Sequence, residues 1–167
     1  MGGGRILGID YGSRRLGLAI AEADGLAARP LATIDLGRRA NAPLEGAGSA
    51  ELDPRTIKEI GRVVARHGVT ELVVGLPLDA RGDHGPMAVA ARTWAIVLGA
   101  ALGLPVALRD ERLTSSLAED RLGPMPHGRS GGAPSRTQRD RYRARVDREA
   151  AAIILQDELD ARRSAAR

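Results

Sequence analysis

Short apolar runs and helical stripes follow one another along the chain, and they predict its strands and helices. Residues 5–10 and 16–22 are apolar runs separated by a polar turn, which predicts a β-hairpin. The predicted strands are residues 5–10, 16–22, 28–36, 71–75 and 106–109. The predicted helices are residues 54–67, 87–102, 115–122 and about 138–163. Stretches rich in Gly, Ala, Pro and Ser predict flexible loops near residues 37–50 and 123–137.

This order of elements predicts the fold class. Three strands joined by hairpins, followed by strands that alternate with helices, indicate an α/β protein with a mixed five-stranded sheet flanked by helices. The chain has 167 residues, which fits a single domain over 1–167. In sheets of this kind ligands bind at the carboxyl ends of the strands, so candidate chemistry is sought there.

Composition excludes several classes of protein. Hydrophobic residues make up 43% and charged residues 28%, which excludes a disordered chain. With 0 Cys, disulfide frameworks and zinc sites built on thiolates are excluded. A membrane span needs about 20 apolar residues, and no uncharged run is that long. We expect a cytoplasmic protein that has no membrane partner.

Carboxylates stand at the ends of two predicted strands. Asp10 ends the first strand, and Asp110 and Glu111 end the last. Because side chains alternate along a strand, Asp110 and Glu111 face opposite sides, and alternation alone does not choose between them. A turn aspartate at position 10 and an ion pair of the last two acids with Arg109 or Arg112 are the simpler alternatives.

Asp147 lies on the sheet-facing stripe of the last predicted helix. Positions 147, 150, 151 and 154 share one face, and the other three are Ala, Ala and Ile. A buried salt bridge between Asp147 and an arginine is the alternative to a functional role. Three carboxylates that converge at one sheet edge repel one another unless cations neutralise them, and oxygen ligands favour Mg²⁺ or Mn²⁺. Such ions support phosphodiester hydrolysis, so the pattern indicates a nuclease.

The motifs GIDYGSRRLGLA, RPLATI, VVGLPLDARGDHG, DERLTSSLAE and VDREAAAIILQDELD occur in this order. In this combination the chain resembles the YqgF/RuvX family of pre-16S rRNA nucleases, also described as Holliday-junction-resolvase-like, with an RNase H-like fold. The resemblance implies that Asp10, Glu111 and Asp147 are catalytic, metal-binding acids, and it favours Glu111 over Asp110. It also implies a role in ribosome biogenesis, in processing the 5′ end of pre-16S rRNA. Resolution of branched DNA in recombination and repair is the alternative.

Arginines near these acids are candidate contacts for a nucleic-acid backbone. Basic residues outnumber acidic ones after residue 120, which favours an anionic partner such as structured RNA or branched DNA. The candidates are Arg14, Arg15, Arg112, Arg139, Arg141, Arg143 and Arg145. The last four are too closely spaced to lie on one helical face, so part of this stretch is interpreted as a loop. A solvated basic start of the helix is the alternative.

Two other functions use the same features. The turn after the first strand also resembles the phosphate loop of actin-like ATPases and sugar kinases, but those proteins enclose a nucleotide between two such domains. A nucleic-acid-binding module without catalysis would use the same arginines, and the three acids argue against it. The sequence leaves open whether the chain is a monomer or a homodimer.

Overall fold

The computed structural model describes residues 3–37, 52–77, 85–111, 114–128 and 131–167. The strands are β1 (Arg5–Tyr11), β2 (Arg15–Glu22), β3 (Arg29–Asp35), β4 (Val69–Leu76) and β5 (Val106–Asp110). The helices are α1 (Pro54–His67), α2 (Pro86–Leu102), α3 (Thr114–Leu122) and α4 (Arg136–Ala165). Each predicted element of the sequence is present, and its ends differ from the prediction by about two residues or fewer.

The five strands form one mixed sheet in the order β3-β2-β1-β4-β5. β1 and β2 pair antiparallel, as do β2 and β3, whereas β4 pairs parallel with both β1 and β5. This arrangement confirms the predicted α/β fold class with three hairpin-linked strands followed by parallel strands. β4 lies between β1 and β5, and all three run parallel. Their carboxyl ends therefore lie at the same edge of the sheet.

The helices cover the two faces of the sheet. On one face, α1 and α2 pack over a core that includes Leu7, Ile9 and Leu72. On the other face, α4 packs over Ala19 and Val73, and α3 lies against the outer side of α4. Odd-numbered residues of β1 therefore face α1 and α2, and even-numbered ones face α4. Among the described residues, no helix is long and apolar enough to cross a membrane.

The start of α4 differs from the prediction. The helix begins at Arg136, with Ser135 as its cap: Gln138 N donates to Ser135 Oγ over 3.2 Å, and Ser135 N donates to Gln138 Oε1 over 2.8 Å. This reciprocal capping box satisfies free donors at the helix start. The four predicted arginines after Gln138 are therefore all helical, and the interpretation of part of this stretch as a loop is wrong.

Candidate metal-binding site and nucleic-acid interface

Asp10 and Glu111 lie side by side at the carboxyl ends of β1 and β5, on the face covered by α4. Their carboxyl groups are close enough for each to change the pKa of the other. The main chain of Glu111 is anchored, since its N–H donates to Leu76 O over 3.1 Å and its carbonyl accepts from the Thr114 hydroxyl over 2.6 Å. β4 lies between β1 and β5 and pairs with both, so it holds the two acids at the same edge of the sheet.

The pleat of β5 explains why Glu111 is the residue that meets Asp10. Arg109, two residues earlier, points to α4, where its Nε lies 2.8 Å from Glu158 Oε2. Glu111 points the same way, and Asp110 points to the other face by alternation. Arg109 thus forms its ion pair with α4. Arg112, the other arginine considered for that pair and a predicted nucleic-acid contact, lies outside the described residues.

Burial gives both acids unusual protonation. Desolvation and the nearby charge of Asp147 raise the pKa of Asp10 from 3.8 to about 6. Desolvation and the charge of Asp10 raise the pKa of Glu111 from 4.5 to about 9, and a hydrogen bond with Asp10 adds to this rise. Without a cation, the pair therefore holds a proton at neutral pH.

One carboxyl oxygen of Glu111 is buried without a hydrogen-bond partner in the described part of the chain. Glu111 Oε2 is buried, and no donor in the described part of the chain bonds to it. Gly75 makes the room for it, because a Cβ at position 75 would overlap Oε2. A buried carboxylate oxygen without a donor is costly unless a proton or a cation binds it, and carboxylate oxygens are ligands that suit a hard metal ion.

Asp147 reaches the same face of the sheet from α4. Its main-chain oxygen lies against Gly17 of β2, where a Cβ would overlap it. Gly17 is the partner of Asp10 in the β1–β2 ladder, so this contact sets α4 over the residue next to Asp10. The prediction that Asp147 faces the sheet is confirmed.

The carboxylate of Asp147 is paired with Arg15. Arg15 Nε donates to Asp147 Oδ2 over 2.6 Å, so the salt bridge considered from the sequence is present. Within the described ranges, no three His, Cys, Asp or Glu side chains form a group that could hold a metal ion. The structure thus brings Asp10 and Glu111 together and places Asp147 beside them, with its carboxylate held by an arginine.

The predicted arginines lie on different faces. Arg139, Arg143 and Asp147 are spaced four residues apart and share one face of α4, while Arg141 and Arg145 lie on another. Arg139 donates to Pro134 O over 2.7 Å, which ties it to the preceding loop. Arg14 is exposed in the β1–β2 turn, next to the site.

Two positioning residues escaped the sequence interpretation. Gly75 was the last residue of a predicted strand, and neither it nor Gly17 received a role in the site. Their signal was a glycine inside an apolar strand, which often marks a close approach of another chain segment. Gly8 of β1 is a third glycine of this kind, since a Cβ there would be 2.8 Å from Leu155 Cβ of α4.

Comparison with known proteins decides the family. Residues 4–161 match the RuvX family, which is described as Holliday junction resolvase. The chain belongs to this family. A Chloroflexus aggregans protein named "Putative pre-16S rRNA nuclease" is 42% identical over 159 residues, which is 95% of each chain. An Anaeromyxobacter dehalogenans protein of the same name is 45% identical over 158 residues, 95% of this chain and 98% of the relative.

Among solved structures, RuvC of T. thermophilus in complex with a Holliday junction substrate is similar over 96% of both chains, with 19% identity and a TM-score of 0.49. The family assignment rests on the RuvX match and on the sequence relatives. It agrees with the resemblance found from the motifs.

Proposed function

We propose that this RuvX-family protein is a metal-dependent nuclease that hydrolyses phosphodiester bonds of precursor 16S rRNA. The observation that carries this proposal is the buried contact between Asp10 and Glu111, in which Glu111 Oε2 has no donor. A protein core keeps such a pair only when a cation or proton offsets its charge. Family membership and the names of the relatives supply the reaction class and the substrate.

Asp10, Glu111 and Asp147 are the proposed metal ligands and catalytic residues. All three offer only oxygen atoms, which suits Mg²⁺ or Mn²⁺. Such ions, when bound, activate a water and stabilise the leaving oxygen of a phosphodiester. The chain contributes the placement: β1 and β5 hold two carboxylates against each other, and Gly17 lets α4 bring the third. Asp110 faces away and is not proposed as a ligand.

The proposed grip on the substrate comes from arginines around the acids. Arg143 lies one turn before Asp147 on the same face of α4 and has no ion pair or hydrogen bond with any described residue. Arg14 stands in the neighbouring β1–β2 turn. Guanidinium groups in these places suit backbone phosphates, which position a nucleic acid without reading its sequence. Arg139, Arg141 and Arg145 extend the basic surface around α4.

Branched DNA is the second candidate substrate, because the family is described as Holliday junction resolvase. A substrate panel separates the two. The purified protein is incubated with Mg²⁺ or Mn²⁺ and either a transcript that spans the 5′ end of 16S rRNA or a four-way DNA junction. We expect cleavage at the 5′ end of the transcript and little on the junction. Paired, symmetric cuts in the junction with an intact transcript would overturn the rRNA proposal in favour of resolution.

A further inference from the structure

The ion pair between Arg15 and Asp147 lies within the candidate site, and the proposed reaction does not explain it. The Arg15 and Asp147 side chains are 19% and 25% exposed, so the pair is mostly shielded from water. The described residues contain no ready group of three metal-binding side chains. Asp147 is thus the acid that has to change its partner before three carboxylates can surround one ion.

The main chain around Asp147 is held in place, so a change of partner involves the Asp147 side chain alone. The Asp147 carbonyl lies against Gly17, and one turn earlier Ala144 O accepts a hydrogen bond from Thr33 Oγ1 over 2.9 Å. These contacts fix α4 on the sheet. Rotation about the side-chain bonds of Asp147 would let its carboxylate leave Arg15 without a shift of the helix.

Arg15 is placed to find another anion. It is the first residue of β2, and its side chain lies on the α4 face, two residues from Gly17. A shielded guanidinium that loses its carboxylate is costly unless another anion replaces it. At a nuclease site that anion is a phosphate of the bound nucleic acid, which guanidinium groups bind through two parallel hydrogen bonds.

We propose that Arg15 exchanges Asp147 for a substrate phosphate when Asp147 takes up a divalent ion. The exchange rests on the proposed nuclease function and adds a link between loading the site with metal and holding the substrate. Before loading, Arg15 keeps Asp147 neutralised beside Asp10 and Glu111. After loading, Arg15 is a substrate-binding residue.

The first part of the test measures metal binding without nucleic acid. Mn²⁺ is titrated calorimetrically into the wild-type chain, Arg15→Gln, Asp147→Asn and the double variant. Removing the competing guanidinium should tighten Mn²⁺ binding by about three- to fivefold, the size of one partly exposed ion pair. In the Asp147→Asn background the same change should have little effect. Arg14→Gln, which removes an equal charge from an exposed neighbour, is the matched control and should change binding less than about twofold.

The second part measures substrate binding, with Ca²⁺ in place of Mg²⁺ to keep the RNA intact. A labelled transcript spanning the 5′ end of 16S rRNA is bound with Ca²⁺ and with EDTA. Wild-type protein should bind more tightly with Ca²⁺, and Arg15→Gln should lose this gain. Arg15→Lys, which keeps a cation without the planar fork, should retain part of it.

Each result supports or overturns the exchange. Mn²⁺ binding that is unchanged or weaker in Arg15→Gln, or a Ca²⁺-dependent gain that survives the substitution, overturns it. If wild-type protein binds Mn²⁺ and cleaves RNA in either of these cases, the nuclease proposal stands and only the exchange fails. If wild-type protein binds no divalent ion, both proposals fail together.

Discussion

Gly17 and the main-chain carbonyl of Asp147 touch at the point where α4 crosses β2, and no side chain larger than hydrogen fits between them. The contact lies opposite Asp10 in the β1–β2 ladder. One missing Cβ therefore determines how close the acid on the helix comes to the acids on the sheet.

Gly17→Ala should separate Asp147 from Asp10 and Glu111. The added methyl group has to push α4 off the sheet, and overpacking of this kind costs about 1–3 kcal/mol of stability. We expect a lower melting temperature and Mn²⁺ binding that is at least tenfold weaker, on the order of the loss of a supporting contact at a metal site. Thermal unfolding and calorimetry measure the two effects.

Gly61→Ala is the matched control for that substitution. Gly61 lies within α1, and a Cβ there would be 3.5 Å from Leu102 Cδ2, an ordinary contact. Alanine should stabilise this helix by up to about 1 kcal/mol and leave metal binding intact. If Gly17→Ala bound Mn²⁺ as well as Gly61→Ala does, the contact would have no part in building the site.

Glu111 and Asp110 should differ sharply in their contribution to cleavage. Glu111 interacts with Asp10, whereas the alternation of side chains along β5 turns Asp110 to the opposite side of the sheet. Glu111→Gln should lower the rate of RNA cleavage at saturating substrate by about 100-fold or more, because a metal ligand is lost. Asp110→Asn should have a far smaller effect. The reverse ranking would mean that the proposed ligand is wrong.

The metal-free protein should lose stability as the pH rises. The pKa of Glu111 is raised from 4.5 to about 9, so the folded chain binds this proton more tightly than the unfolded chain does. The resulting stabilisation is complete below pH 4.5 and is lost as the pH rises through about 9. In EDTA, the free energy of unfolding should therefore fall between about pH 6 and pH 9.

Denaturant unfolding of Glu111→Gln tests this origin directly. The substitution should reduce the decrease of the unfolding free energy with pH. It should also stabilise the metal-free chain near pH 8 by at least about 1 kcal/mol, which corresponds to less than one pKa unit. Glu119→Gln, at an exposed position of α3, should keep the wild-type slope. A slope that survives Glu111→Gln would place the responsible proton elsewhere.

Arg143 should contribute more to the reaction than Arg141, although both are unpaired within the described residues of α4. Only Arg143 shares the face of Asp147. Arg143→Gln should weaken RNA binding and reduce the slope of log affinity against log salt by about 0.7–0.9, the value for one phosphate contact. Arg141→Gln should leave cleavage nearly unchanged. Salt titrations in Ca²⁺ measure RNA binding by both variants, and cleavage rates are measured in Mg²⁺. Equal losses of binding and cleavage in the two variants would contradict a substrate contact on the Asp147 face of α4.

Most of the fold could be predicted from local signals. Asp53 caps α1 and Gly68 ends it in a left-handed conformation, as their residue types suggest. Short apolar runs located the strands, and the short connections between the first three predicted their hairpins. The predicted start of α4 lies two residues after the observed one. Its capping box follows a stretch rich in Gly and Pro, so Ser135 and the first helical residues were assigned to the loop.

The site could be predicted only as far as its separate segments. Asp10 and Asp147 were recognised by charges at positions that favour apolar residues. The pairing of Asp147 with Arg15 joins residues 132 positions apart, and no local pattern encodes it. The choice of Glu111 over Asp110 depended on the resemblance, because alternation fixes only that the two face opposite sides. Gly17 and Gly75 matter because they have no side chain, and a search of the sequence for functional groups does not find such residues.

The most direct test of the nuclease proposal is the cleavage rate of Asp10→Asn. Wild-type protein, Asp10→Asn and the exposed control Asp24→Asn are compared on a labelled precursor transcript with Mg²⁺, with Mn²⁺ and with EDTA. Cleavage by the wild type and by Asp24→Asn should require the metal, and Asp10→Asn should be slower by about 100-fold or more, at least about 2.7 kcal/mol of barrier. Near-wild-type cleavage by a folded Asp10→Asn, or cleavage that persists in EDTA, would contradict the proposal.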